Sequence, residues 1–457
     1  MFAAALVAAL IFSGSAHATT EPAATPRAEC GPGSDPETGL QGRVPAADVT
    51  SGRAYLGYRC NAELRGHFGA SGFEGGSGGY KVFRYTDAAG HECAFYDSTL
   101  LFPVNAAALD RPGAFVLDMT DPAHPVRTAA LVTPAMLSPH ESLSFNATRG
   151  LLAAGMGNPL TYPGMIDIYD VKADCRHPKL RSSTPMGLLG HEGNFAPDGN
   201  TLWISDSNNG PGTLTAIDVT NPALPRLLVA LRGIGVHGMN VSDDGKRLYY
   251  ADLKNKGLTI LDTTQVQSRV PRPVMPVVSH ITWDTVSIPQ NAIPFTRAGH
   301  PYLVEVDEFS AQLNSGTVGP PVGAARIIDI ADDRHPAVVS DLRLEVNQAA
   351  NFDAVKGDGG ATNFLQGYTA HYCGIPTRVD PSIVACSFIL SGLRVFDIRD
   401  PLHPKEIAYF NMPVKTLRGT TSYAMSAATF APDRREIWYT DGNSGFYNIH
   451  LTNDVWQ

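Results

Sequence analysis

Residues 214–225 read Leu-Thr-Ala-Ile-Asp-Val-Thr-Asn-Pro-Ala-Leu-Pro: an apolar strand ending at Asp218, then a turn closed by Pro225. The same arrangement recurs around Asp118, Asp170, Asp262, Asp329 and Asp397, and a seventh copy near the end of the sequence carries His450 in place of the Asp. Four of the six intervals between these positions span 44 to 53 residues, and the two that flank Asp329 span 67 and 68. A period of this size marks a repeated supersecondary unit, and the two long intervals imply insertions.

A second repeated pair lies upstream of several copies. Residues 191–206, 236–252 and 426–441 each read as strand, polar turn and strand, with Asp198-Gly199 and Asp244-Gly245 supplying tight turns in two of them. The second strands end at Asp206, Asp252 and Asp441, and Asp97 and Asp307 end similar strands elsewhere. A further short strand follows each proline-closed turn. Each unit therefore holds four antiparallel strands, A to D. One such sheet cannot bury both faces, but a ring of seven packs every face on a neighbour. The expected fold is all-β, a seven-bladed β-propeller. Its last unit lacks a fourth strand, and Asn61–Gly66 resembles the D strands elsewhere, so an N-terminal strand is expected to close the last blade.

The composition agrees. Of 457 residues, 43% are hydrophobic and 17% charged, which is globular, and 44 Gly with 34 Pro disfavour a helical protein. A net charge of -9 with no basic run excludes a nucleic-acid footprint. Residues 2–14 form an apolar run, followed by Ala16 and Ala18 in an Ala-x-Ala pattern. Residues 1–18 read as a signal peptide, which implies a secreted or periplasmic protein. Residues 19–54 read as a flexible leader and 55–457 as the propeller, with no transmembrane segment after the signal. Six cysteines in an exported protein permit disulfides. Cys373 and Cys386 flank a turn and are expected to pair across a hairpin. Cys60 and Cys93, both near early strands, are the second expected pair, which leaves Cys30 and Cys175 for each other by elimination.

The apolar strand ending in Asp, followed by Asp-Pro-x-x-Pro as in Asp121–Pro125 and Asp400–Pro404, resembles the LVIVD-repeat proteins over roughly residues 55–457. That resemblance implies a β-propeller and little about activity. Thr263-Thr264-Gln265 departs from the pattern.

Position sorts the fourteen histidines. His17 belongs to the signal peptide. His124, His177, His335 and His403 precede proline in the turn after strand C and are expected to cap that turn at the periphery. His140, His191, His237 and His371 instead fall at the start of strand A in blades 2, 3, 4 and 6. The A strand is innermost in a propeller, so these imidazoles should converge on the axis, where they suit iron, copper or zinc. Gln290 and Ser426 take the corresponding places in blades 5 and 7. Glu141 and Glu192 follow two of the histidines and are expected to accept the outer ring N–H. The competing reading is structural: WD40 propellers carry a Gly-His like Gly190-His191, bonded within its own blade. Such a histidine would not vanish from two blades whose strands remain.

Glu305, Asp307 and Glu308 are expected on a solvated rim, the alternative being that they line the channel mouth or bind calcium, and residues 309–321 and 349–362 as loops over one face. The glycine-rich Phe73–Tyr80 reads as a loop near the closure. No serine nucleophile elbow, phosphate loop or dinucleotide fingerprint occurs. Two functions follow. One is a metal-dependent oxidoreductase acting on a small-molecule substrate, similar in site layout alone to the carotenoid-cleaving oxygenases and the selenium-binding methanethiol oxidases. The other is a non-catalytic exported propeller that binds a protein, glycan or cell-envelope ligand through its loop face.

Overall fold

In a computed structural model, residues 21–69, 78–98, 113–155, 164–186, 190–206, 212–311, 319–362, 367–416 and 419–457 are described; the expected signal peptide and most of the Phe73–Tyr80 loop lie outside them. Seven antiparallel sheets form the blades of a β-propeller. Blade 3 shows the pattern: strands A (Gly193–Phe195), B (Thr201–Asp206), C (Thr213–Asp218) and D (Arg226–Arg232) pair in sequence order. Its B strand is buried along its whole length, whereas the polar D strand of blade 2, Lys179–Thr184, is largely exposed. This gradient explains why the B and C strands read as nearly continuous apolar runs. Both of their faces meet a neighbouring blade.

The core is correspondingly split into wedges between blades. One packs Trp203, Leu214 and Ala216 of blade 3 on Met239, Leu248 and Tyr250 of blade 4. Each fully buried large apolar side chain contributes roughly 1.5–3 kcal/mol. Blade 7 contains Thr429–Ala431, Glu436–Asp441 and Gly445–Leu451, and the N-terminal strand Ala62–Phe68 pairs with the last of these. The ring is thus closed as the sequence pattern implies.

The repeated aspartate has a local cause. Oδ1 of Asp118, Asp170, Asp218, Asp262, Asp329 and Asp397 accepts the main-chain N–H two residues on, at 2.8–3.0 Å, which bends the chain out of strand C. The capping histidines act in the following turn. Nδ1 of His124, His177, His335 and His403 lies 2.8–3.0 Å from the carboxylate three residues earlier, in each case near the surface. In blade 4 a one-turn helix, Thr264–Gln267, replaces that turn.

Two expectations are corrected. Residues 21–54, the described part of the expected leader, are not free. Tyr58–Cys60 adds a fifth strand to the outer edge of blade 6, and the preceding segment lies against the ring. Its Glu37 meets the fully buried Arg394 at 2.7 Å, Gln41 reaches Glu406 at 2.9 Å, and Arg43 pairs with Asp358 at 2.7 Å. Arg394 also bonds Glu406 at 3.1 Å, so the segment supplies half of the neutralising charge for a buried cation. The disulfide pairing differs as well. Cys373–Cys386 forms between directly opposed residues of blade 6, as expected. Cys60 does not join Cys93, because Cys60 sits on the edge of blade 6 and Cys93 within blade 1. The bonds are Cys30–Cys60, which fastens the N-terminal segment, and Cys93–Cys175, which ties blade 1 to the turn after strand C of blade 2. Three disulfides accord with an oxidising compartment. No helix among the described residues is long and apolar enough to cross a membrane.

Candidate metal centre

Blade closure brings the starts of the A strands together, and the side chains there are buried. His191, His237 and His371 are at most 6% exposed and Glu141 is 2% exposed. Nε2 of His191 lies 3.0 Å from Nε2 of His237 and 3.1 Å from Oε2 of Glu141. Nε2 of His371 lies 3.4 Å from Oε1 of Glu141 and 3.1 Å from Oε2 of Glu308. His237 completes the cluster, 3.7 Å from Glu141 and 3.6 Å from Glu308. The His140 ring lies tilted against the His191 ring, centroids 4.5 Å apart, and adjoins Tyr80, and its Nδ1 is buried without a hydrogen bond. The His140 backbone is left-handed, with φ 52°, an uncommon state for a non-glycine residue, at the point where the chain turns Glu141 inward.

The outer ring nitrogens of two of these histidines are held by the main chain. Nδ1 of His237 donates to the Pro289 carbonyl at 2.7 Å, and Nδ1 of His371 donates to the Met425 carbonyl at 2.8 Å. Each acceptor belongs to the next blade. A carbonyl can only accept, so these Nδ1 atoms carry hydrogen and each Nε2 faces the axis, with a lone pair there when the ring is neutral. Backbone carbonyls therefore take the outer N–H, the role the sequence suggested for Glu141 and Glu192. Glu141 instead faces the Nε2 atoms, and Gln290 of blade 5 donates to its Oε1 at 2.8 Å. Glu192 turns to Lys81, whose Nζ lies 3.1 Å away and also donates to the Gly193 carbonyl.

The electrostatics are those of carboxylates and imidazoles withdrawn from water. Burial opposes charge on Glu141, yet the neighbouring His191 and His371 hold its pKa well below the usual range. Burial likewise opposes charge on His371, but Glu141 and Glu308 raise it to about 10. Burial and the charge of His191 press His140 down to about 3. Glu192 is pushed up to about 7 by burial, against the pull of Lys81. Three buried carboxylates face one buried ammonium here, and a site of this kind needs protons or a cation.

Lys81 has no signal in the sequence, and Glu308 enters it only as an alternative lining of the mouth. Glu308 is not on a solvated rim: it is 4% exposed at the end of strand B of blade 5 (His300–Glu308). A signal existed, because the residue after the strand-end aspartate is Ser98, Ser207, Leu253 or Gly442 elsewhere and acidic only here. Glu305 and Asp307 are also buried, both paired with Arg326, whose guanidinium lies over Trp283. Lys81, just before strand A of blade 1, had no motif to mark it. A second cluster, Asp87, His91 and Asp174, lies away from the axis beside Cys175. Its carboxylates are taken up by main-chain N–H groups, His91, Arg176 and His177. The axial histidine–glutamate groups have donor spacing able to hold a metal.

No protein-family model matches the sequence, and no curated protein aligns with it significantly. Solved structures do match. The Cps50 (Swd1) β-propeller domain of Myceliophteria thermophila aligns at TM-score 0.50 and 10% identity, over 82% of this chain and 96% of that one. Kuenenia stuttgartiensis hydrazine synthase aligns at TM-score 0.50 and 12% identity, over 81% and 95%. The periplasmic gluconolactonase PpgL of Pseudomonas aeruginosa aligns at TM-score 0.49 and 13% identity, over 74% and 92%. At these identities the first two likenesses carry the fold alone: this chain is a seven-bladed β-propeller.

Proposed function

We propose that the axial cluster holds a divalent transition metal and that the protein is an exported, metal-dependent oxidoreductase acting on a small molecule. The observation that carries this reading is the set of three Nε2 atoms gathered around the carboxylates of Glu141 and Glu308, with N–O contacts of 3.1–3.7 Å and one Nε2–Nε2 contact of 3.0 Å, two of the outer ring nitrogens being fixed on carbonyls. Donors about 2.0–2.2 Å from one ion lie roughly 3.0–3.5 Å from each other. Glu141 Oε2 accepts no well-aligned hydrogen bond although His191 is 3.1 Å away, as expected where lone pairs aim at a shared point. Imidazole and carboxylate without thiolate favour iron or zinc over copper(I), and the redox reading commits to iron.

In that reading His191, His237 and Glu141 hold the ion, with His371 beside Glu141 and Glu308, and the ion when bound would supply a Lewis acid or an electron-transfer centre. Gln290 fixes the rotation of the Glu141 carboxylate. Lys81 balances Glu192, so the charge behind the site stays neutral. Tyr80 and Phe309, beside His371, supply an apolar wall. The apolar segment 2–14 and the three disulfides support export, and the repeat supports membership of the LVIVD-repeat group. Elemental analysis of the purified mature protein tests the proposal. Bound iron that His191→Ala loses without unfolding is the expected result, joined by oxygen uptake or dye reduction when candidate small molecules are supplied. A folded protein that binds no transition metal would overturn the proposal and favour a ligand-binding propeller.

A further inference from the structure

We infer that the axial chamber is built for two divalent ions bridged by the carboxylates of Glu141 and Glu308. The inference rests on the metal-site reading above and goes beyond it in ion number and ligand class. The donors fall into two groups that share Glu141. One comprises His140, Glu141 and His191, the other Glu141, Glu308 and His371, and within each the donor atoms lie within 4.8 Å of one another.

The individual oxygens show how the sharing works. Oε2 of Glu141 faces His191 at 3.1 Å and His237 at 3.7 Å, whereas its Oε1 faces His371 at 3.4 Å. Glu308 repeats the division, with Oε1 3.6 Å from His237 and Oε2 3.1 Å from His371. Each carboxylate thus turns one oxygen to each pole. The first pole offers His191, His237 and one oxygen from each glutamate, with His140 within 4.8 Å of its His191 and Glu141 donors. The second offers His371 and the other two oxygens. Each set has the roughly 3.0–3.7 Å spacing of donors around its own ion, and a carboxylate that gives one oxygen to each of two ions holds them about 3.5–4 Å apart, as in two-metal enzymes. A single ion among His191, His237 and Glu141 Oε2 would leave His371, buried at 1% exposure, as an ion-pair partner of Glu141 and Glu308.

Charge then selects the ligand class. Two divalent ions exceed Glu141 and Glu308 by two positive charges, and Glu192 is already offset by Lys81. The remaining charge calls for a small oxyanion, or hydroxide, bridging the ions.

Metal-free protein titrated with Mn(II) tests the inference. Two equivalents per chain are expected, with an electron paramagnetic resonance spectrum of two exchange-coupled ions, and inorganic phosphate should perturb that spectrum. One equivalent, or the spectrum of isolated ions, overturns the two-ion inference and leaves the metal reading standing; no binding of any transition metal overturns both. In His371→Ala, circular dichroism reports the fold, and the bound manganese should fall from two equivalents to one. Retention of two would also overturn the inference. Should that variant not fold, the wild-type stoichiometry and spectrum decide by themselves.

Discussion

Replacing Glu141 by Gln keeps shape and removes charge, which makes it the sharpest test of what the carboxylate does. The side chain faces Nε2 of His191, His237 and His371 at 3.1–3.7 Å, and Gln290 donates to it. An amide can fill this space but gives an ion only a weak neutral donor. Loss of a residue that merely supports a ligand costs roughly 10–100-fold in metal affinity, so loss of this oxygen pair should cost at least about 100-fold. With iron at about 100 times the wild-type Kd, binding adds about 2.7 kcal/mol to stability. After a hundredfold weakening the same iron concentration adds only about 0.4 kcal/mol. The difference of about 2.3 kcal/mol, set against an unfolding entropy of roughly 2.1 cal/mol/K for each of about 400 ordered residues, lowers the Tm by about 3 °C. Calorimetry with iron and with chelator measures this. The Tm gap between wild type and variant should be present with metal and much smaller without it. An equal gap in both conditions would show that Glu141 serves only as a buried ion-pair partner of the imidazoles, and the metal argument would fail.

Three further outcomes are expected. By loop-closure entropy, removing Cys93–Cys175, which spans 82 residues, should cost about 4.5 kcal/mol, and removing Cys373–Cys386, which spans 13, about 3 kcal/mol; urea unfolding of the paired Ser variants ranks them, and non-reducing peptide maps should also recover Cys30–Cys60. Arg394→Met leaves Glu37 and Glu406 buried without their cation and should destabilise by about 3–5 kcal/mol, with protease cleavage appearing first in residues 21–57. Burial opposes ionisation of Asp87, but the N–H groups of Cys175, His91 and Ala89 and the His91 ring outweigh it and depress its pKa. A depressed carboxyl gives its full stabilisation above the unfolded value near 3.9 and loses it as pH falls through the folded value, so Asp87→Asn should flatten the acid limb of Tm against pH below about pH 4; an unchanged limb would mean that Asp87 has no part in it.

Some features of this protein are written locally, and sequence alone determines them. The Asp at the end of strand C recurs because each one caps its own turn, within two residues. That locality made the repeat, the blade count and the closing strand Ala62–Phe68 legible. Cys373 and Cys386 were legible for the same reason, since one hairpin places them opposite each other. Equivalent positions in a ring must meet near its axis, so His191, His237 and His371 could be gathered without coordinates, whereas His140 stands beside them against His191 and Tyr80. What the repeat could not give is everything that depends on how unlike positions meet after closure. Glu308 comes from the end of a B strand rather than the start of an A strand, and only the packing of blade 5 beside the axis turns its carboxylate to His371. Lys81 and Glu192 pair across the channel from blades 1 and 3. The N-terminal segment carries no periodicity, and its place is set by one disulfide and a buried arginine far away in sequence. Each blade also has a bulge between strands C and D, or their equivalents in blade 7, a register shift with no residue signature. Local hydrogen bonds and periodic burial leave their mark in composition and spacing. Contacts between residues from different blades leave none, because any chemically suitable pair would read the same until the ring closes.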